Sequence, residues 1–181
     1  MNDDDLMRRV AQGDEESFRI LVERWERPVF AFLERMTGST EEALDLSQEV
    51  FVRVFRKARR YTPNGRFRSW IFRIAGNLAR SLLRRRKILR WVRFDSRRHE
   101  RPATGEGPEA QYEQKMLRKA VREAIARLPE RQRRALLMRR YEGMSYQEIA
   151  LSLGTTVPAV ESLLQRALRV LREELGREGK R

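Results

Sequence analysis

The sequence contains no cysteine and a single histidine, His99. Without cysteine there is no disulfide scaffold, no thiol nucleophile and no cysteine-ligated zinc site. One histidine offers little for a Ser-His-Asp triad, and the carboxylates are not clustered in the way that catalytic Mg²⁺ sites require. We therefore expect no catalytic residues, no bound metal and no cofactor.

Long apolar runs are also missing. No stretch of 18 apolar residues occurs, and the N-terminal segment MNDDDLMRRV is acidic and has no apolar core of a signal peptide. We expect a protein that is neither secreted nor inserted in a membrane, and the lack of cysteine is consistent with a reducing cytoplasm. The 181 residues are 40% hydrophobic, which is enough for one domain or two small ones.

The net charge of +14 is unevenly distributed. Residues 1–52 contain 6 basic and 13 acidic side chains, whereas residues 53–101 contain 18 basic and 2 acidic ones. A basic block of this size favours a nucleic-acid partner, although a short basic run is often only a solvated surface. The acidic first quarter would repel nucleic acid and is better suited to contact with a protein.

Apolar residues recur at helical spacing through most of the chain, and no segment alternates with period two. Residues 95–110 contain prolines and glycines and almost no large apolar side chain, which is typical of a linker. We therefore predict an all-α protein with two small helical domains, a flexible linker between them and a short tail. The predicted divisions are 1–90, 91–111, 112–175 and 176–181.

Local signals refine the first domain. Pro28 is expected to kink or divide a helix over residues 14–36, and Ser39 with Glu42 predicts a capping box for the next helix. A loop is predicted over residues 61–65. The helix after Ser39 is expected to bury Ala43, Leu46, Val50, Phe51, Val54, Phe55 and Ala58.

A basic ridge with an aromatic residue follows the predicted loop. One face of the helix that starts near Phe67 carries Arg66, Trp70, Arg73, Asn77, Arg80 and Arg84. Tyr61 and Asn64 lie just before it in the loop. Arginine neutralises phosphate, aromatic rings stack on exposed bases and asparagine reads base edges, so this chemistry suits single-stranded nucleic acid. The alternative for Trp70 is a core position at the edge of the helix.

A polar, largely acidic strip lies on the helix before the loop and consists of Asp45, Gln48, Glu49 and Arg53. Such a strip beside an apolar face suits docking to a basic helical partner. The alternative is an ordinary solvated face.

The second domain contains the signals of a helix-turn-helix. Residues 145–148 (SYQE) predict a capping box, Gly154 a tight turn, and Thr155 or Thr156 the cap of a second helix with Pro158 in its first turn. An ordinary helical hairpin is the alternative, but the outward side chains of the second helix can pair with base edges and phosphates. Those outward positions are Ala159, Glu161, Ser162, Gln165, Arg166 and Arg169.

Together, these motifs closely resemble the extracytoplasmic-function (ECF) sigma factors of the sigma-70 family. The similarity is carried by DLSQEVFVRVF within residues 45–86 and by LPERQR, SYQEIA and AVESLLQRA within residues 128–175, and it extends to residues 5–25. The resemblance implies a non-enzymatic promoter-recognition subunit of RNA polymerase in the bacterial cytoplasm. A helix-turn-helix regulator that binds an operator without being a polymerase subunit remains the alternative.

The resemblance also implies roles for the candidate residues. The clamp helices of the largest polymerase subunit would bind Asp45, Gln48, Glu49 and Arg53. The −10 element would contact Tyr61, Asn64, Arg66, Trp70, Arg73, Asn77, Arg80 and Arg84. The −35 element would contact Thr156, Pro158, Ala159, Glu161, Ser162, Gln165, Arg166 and Arg169. Further expected partners are the polymerase β-flap, promoter DNA and an anti-sigma factor.

Overall fold

The computed structural model describes residues 1–92 and 109–178, and every regular element in these two ranges is helical. The all-α prediction is therefore confirmed. A single 3₁₀ turn, Ala58–Arg60, follows the third helix. The α-helices are α1 (Asp3–Ala11), α2 (Glu15–Thr37), α3 (Thr40–Lys57), α4 (Phe67–Val92), α5 (Glu109–Arg127), α6 (Glu130–Arg140), α7 (Tyr146–Leu153) and α8 (Val157–Glu178).

Helices α1 to α4 form the N-terminal bundle, because each carries an apolar stripe that only its neighbours can cover. Phe32 and Phe72 are fully buried at its centre, and their rings meet edge to face with centroids 5.2 Å apart. Helix α1 is tied to this core by Leu6 and Met7, and the Asn2 side chain caps it by accepting a bond from the Asp5 amide at 2.8 Å.

Two local predictions in this bundle need correction. Pro28 does not divide its helix, because α2 runs unbroken from Glu15 to Thr37 and buries Leu21 before the proline and Val29 after it. A proline removes one helical hydrogen bond, and the packing on both sides outweighs that loss.

The capping box at the start of α3 is only half formed. The Ser39 side chain accepts from the Glu42 amide, but Glu42 does not bond back. Its carboxylate instead accepts from Arg86 on α4, whose guanidinium also donates to the Thr37 carbonyl at 2.8 Å. This ion pair ties α4 to the junction of α2 and α3, and so helps to orient the basic ridge.

Helices α5 to α8 form the C-terminal bundle around Leu137, Met138 and Met144, all of which are fully buried. The predicted capping box is present at both Ser145 and Glu148. Gly154 has a φ of 61° and so ends α7 in the left-handed region that favours glycine. The sharp turn between α7 and α8 gives the predicted helix-turn-helix.

The two bundles pack against each other, with α7 on α4 and α6 on α2. The Arg134 side chain is 4% exposed and lies so close to Gly76 on α4 that an added Cβ would be 2.4 Å from its Nε atom. Arg133 donates to the Met36 carbonyl at 2.8 Å. Arg35 lies 4.2 Å from the centroid of the Tyr141 ring, in cation–π geometry. Residues 93–108, most of the predicted linker, lie outside the described residues.

Candidate nucleic-acid and partner-binding surfaces

A cleft of about 290 Å³ lies where the loop of residues 61–66 meets the first turns of α4. We call it the loop–α4 cleft. Five of the eight residues predicted at the −10 element line it, and Leu151 of α7 lines it as well. The five are Tyr61, Asn64, Arg66, Trp70 and Arg73. Aromatic faces and guanidinium groups in one cleft can hold an unstacked base together with its phosphates.

The aromatic wall of the cleft is continuous with the core of the bundle. The Tyr61 and Trp70 rings are 4.8 Å apart between centroids, and Phe67 lies within 6 Å of both. Trp70 is only half-buried, so it both packs on the core and presents part of its ring to the cleft. The alternative interpretation of Trp70, a core position at the edge of the helix, therefore describes only one side of its ring.

The loop that carries Asn64 is fixed by a residue that sequence reasoning missed. The Tyr61 hydroxyl donates to Oδ1 of Asp4 at 2.5 Å, and the Gly65 amide donates to Oδ2 of the same carboxylate at 2.5 Å. Burial, followed by the hydrogen bond and the negative charge of Asp4, raises the pKa of the Tyr61 phenol well above its usual value. Tyr61 therefore remains a hydrogen-bond donor at neutral pH.

Asn77, Arg80 and Arg84 continue the ridge along α4 and do not line the cleft. All three are exposed, as the helical spacing predicts. They lie on the same face of α4 as Arg73, so a strand of nucleic acid leaving the cleft could follow them.

The predicted docking strip on α3 is more apolar than its sequence indicates. Asp45 and Gln48 are exposed, and Glu49 accepts from Arg53 at 2.7 Å. The same exposed side of the helix also presents Leu44, Val52 and Phe55, which are 52%, 42% and 50% exposed. The expected burial of Phe55 is therefore wrong: its ring contacts Phe18 at the rim of the bundle, 5.2 Å between centroids.

The outward face of α8 agrees with the helix-turn-helix pattern. Glu161, Gln165, Arg166 and Arg169 are exposed, together with Thr156 and Pro158 at the start of the helix, whereas Ala159 and Ser162 are half-buried. The Thr156 hydroxyl accepts from the Ala159 amide at 3.4 Å, which assigns the cap to Thr156 rather than to Thr155. These side chains are free to enter a groove of DNA.

Two negative findings apply to residues 1–92 and 109–178. In that part of the chain, no group of three or more histidine or carboxylate side chains is arranged to hold a metal ion. No helix described there is long and apolar enough to cross a membrane.

Comparison with known proteins matches both halves of the chain. The profile of Sigma-70 region 2 matches residues 21–89, and that of Sigma-70, region 4 matches residues 118–171. The ECF RNA polymerase sigma factor SigE of Mycolicibacterium smegmatis is 34% identical over 92% of this chain and 66% of its own length. The ECF RNA polymerase sigma-E factor of Escherichia coli is 30% identical over 92% of this chain and 91% of its own length.

Solved structures agree with this result. CnrH in complex with the cytosolic domain of CnrY has a TM-score of 0.73 at 25% identity and covers 96% of this chain and 97% of that chain. The sigma factor RpoE from Bartonella quintana, in complex with the anti-sigma factor NepR, has the same fold, with a TM-score of 0.69 at 21% identity, and covers 89% of this chain and 98% of that chain.

An arginine-lined aromatic cleft, a helix-turn-helix and matches to regions 2 and 4 in that order define a sigma-70-type transcription factor. Within that class, the chain belongs to the ECF RNA polymerase sigma factors. Sigma factors are non-catalytic regulatory subunits that bind core RNA polymerase and promoter DNA. The prediction of a sigma factor is confirmed, and it is favoured over an operator-binding regulator.

Proposed function

We propose that this sigma factor opens promoter DNA at the −10 element through the loop–α4 cleft and reads the −35 element through α8. The observation that carries the proposal is the convergence of Tyr61, Asn64, Trp70 and Arg73 on one cleft of about 290 Å³. The chain itself performs no chemistry, and the core polymerase in the bacterial cytoplasm supplies catalysis.

The exposed face of α3 is the proposed docking site for the clamp helices of the largest polymerase subunit. Exposed Asp45 and Gln48 would set the orientation of the clamp helices on α3, while the exposed side chains of Val52 and Phe55 would become buried in the interface. Glu49 and Arg53 pair with each other and would form the rim. The β-flap would bind the C-terminal bundle, and an anti-sigma factor would cover the DNA-binding faces.

Stacking in the cleft would offset much of the cost of base opening. Unstacking a base costs a few kcal/mol, and stacking on an aromatic platform returns about 1–3 kcal/mol per base. Trp70 and Tyr61 supply that platform, and Arg66 and Arg73 attract the phosphates. Farther along the ridge, Asn77, Arg80 and Arg84 would hold the following nucleotides.

On α8, the proposed −35 contacts divide by chemistry. Gln165 suits adenine and Arg166 or Arg169 suits guanine or phosphate, whereas Glu161 can accept from cytosine N4. Thr156, Pro158, Ala159 and Ser162 would shape the entry of the helix into the groove. Joining both halves to one polymerase raises the effective concentration of the second contact, so two modest interactions become one selective interaction.

The test is transcription in vitro by core polymerase and this chain on a library of promoters. We expect initiation at a defined set of sequences, and no promoter-specific initiation would refute the proposal. Operator binding without polymerase would instead support the regulator.

Single-residue variants test which surface binds which partner. Asn77→Ala should reduce initiation at the −10 element and leave core binding intact. Asp45→Arg should weaken core binding, with Glu26→Arg, an exposed site on α2, as the matched control. Glu161→Lys should change the −35 preference, whereas Glu173→Lys, the same charge change three turns farther along α8, should not.

A further inference from the structure

One carboxylate joins the first helix to the loop that lines the cleft. Asp4 uses Oδ1 for the Tyr61 hydroxyl and Oδ2 for the Gly65 amide, both at 2.5 Å. The two donors, Tyr61 and Gly65, flank Asn64 in the loop. A single side chain therefore fixes where the loop starts and where it turns back to α4.

Asp4 is itself held in place by a rigid element. Helix α1 buries Leu6, Met7 and Val10 in the bundle core, and Asp3 next to Asp4 accepts from Arg24 of α2 at 2.5 Å. The carboxylate is consequently presented by a packed helix and not by a loose chain end. This support matters because a bidentate contact orders its partners only as well as its own backbone is ordered.

The charges around the cleft also indicate that Asp4 serves to hold the loop. Arg60, Arg66 and Arg73 line the cleft, and a polyanion would be repelled by an uncompensated carboxylate among them. Asp4 is half-buried, and both of its oxygens accept bonds from the loop. Its oxygens are thus occupied by the loop, and the three arginines outnumber its single negative charge, so the cleft stays attractive to phosphate.

We propose that Asp4 is a positioning residue for base recognition, which holds Tyr61 and the Gly65 turn so that Asn64 meets the unpaired base in one fixed geometry. This inference rests on the proposed function of the cleft. Ordering five loop residues in advance removes conformational entropy that binding would otherwise have to overcome, because each ordered backbone carries such a cost. Asp4 lies outside residues 21–89, the range matched by the region 2 profile.

The test uses the full chain with core polymerase and a promoter library randomised at the −10 element. Asp4→Asn keeps the size of the side chain but leaves only one acceptor oxygen for two donors. We expect discrimination among −10 bases to fall roughly tenfold, the scale of one hydrogen bond to a charged group. Core binding and the melting temperature of the chain should change little.

Asp5→Asn is the matched control, because Asp5 lies in the same helical turn and its carboxylate pairs with Arg8 of its own helix. It should leave the −10 profile unchanged. A second readout is the absorbance titration of the four tyrosines. In Asp4→Asn one phenol should titrate at lower pH than in the wild type. A loss of global stability alone would not shift this titration at pH values where the chain remains folded.

Tyr61→Phe supplies the double-mutant cycle. If Asp4 acts through the hydroxyl, Asp4→Asn should cost less in the Tyr61→Phe background than alone. Additive effects, or a wild-type −10 profile for Asp4→Asn, would overturn the inference. A wild-type chain that initiates at no promoter would overturn the proposed function as well, so the two failures are distinguishable.

Discussion

Replacing Gly76 by alanine should loosen the packing of the two bundles without unfolding either one. A Cβ at this position would lie 2.4 to 2.5 Å from three atoms of the Arg134 guanidinium, so that group must leave its slot on α4. Within α4 itself the change is favourable by about 1 kcal/mol, because alanine is a better helix former than glycine. The substitution therefore stabilises the helix and displaces Arg134, while the Arg133–Met36 and Arg35–Tyr141 contacts still join the bundles.

The contact that would be lost is a weak one. Arg134 is 3% exposed, and its Nε and Nη2 atoms have no hydrogen-bond partner among the described residues. Burial, opposed by Glu130, lowers the pKa of its guanidinium. Leaving a buried polar group unpaired costs about 1–3 kcal/mol, so displacement of Arg134 recovers part of what the packing loses.

Small-angle X-ray scattering measures the result. A compact chain of this length has a radius of gyration of about 16 Å, and two bundles with centres about 40 Å apart would give about 23 Å. We expect the wild type near the lower value and Gly76→Ala between the two values, because a part of the population opens once Arg134 is displaced. Gly176→Ala, also in a helix but with nothing within 4 Å of the added Cβ, is the control. Equal radii for Gly76→Ala and the wild type would refute the role assigned to Arg134.

Three further predictions concern stability. Ser145→Ala removes the capping-box bond in which the Ser145 hydroxyl accepts from the Glu148 amide, and it should lower the free energy of unfolding by about 1 kcal/mol in denaturant melts. Leu137→Ala leaves a cavity at a 1% exposed site and should cost about 2–5 kcal/mol in the same assay. Because folding raises the pKa of Tyr61, its protonated phenol contributes fully to the free energy of unfolding below the unfolded pKa of about 10, and this contribution declines as the pH rises above that value. Tyr61→Phe should remove that decline in melts at high pH.

Helices and surfaces with a local signal were predictable. The helix-turn-helix follows from Ser145, Gly154 and Thr156, because caps and a left-handed glycine act over three or four residues. The ridge on α4 follows from helical periodicity, which places Arg73, Asn77 and Arg80 on one face.

Contacts between distant parts of the chain carried no such signal. Asp4 reaches Gly65 across 61 positions, and in the sequence it reads only as part of an acidic first turn. Arg134 was not predictable as a buried group because arginine is almost always at the surface. Phe55 belongs to the apolar stripe of α3 whether that part of the helix is covered or exposed. Only the tertiary packing of α3 therefore determines whether its ring is buried.

The packing of α7 against α4 holds the two DNA-binding surfaces close together compared with the distance between promoter elements. Leu151 and Trp70 line the same cleft, and a Cβ on Gly154 would lie 3.8 Å from Arg73. Promoter elements labelled −10 and −35 are about 25 base pairs apart, or about 85 Å along B-form DNA. With the proposed −10 and −35 contacts, the chain with its bundles packed would therefore span only one element at a time. On the proposed assignment, the chain would measure promoter spacing only after the polymerase had drawn its two halves apart.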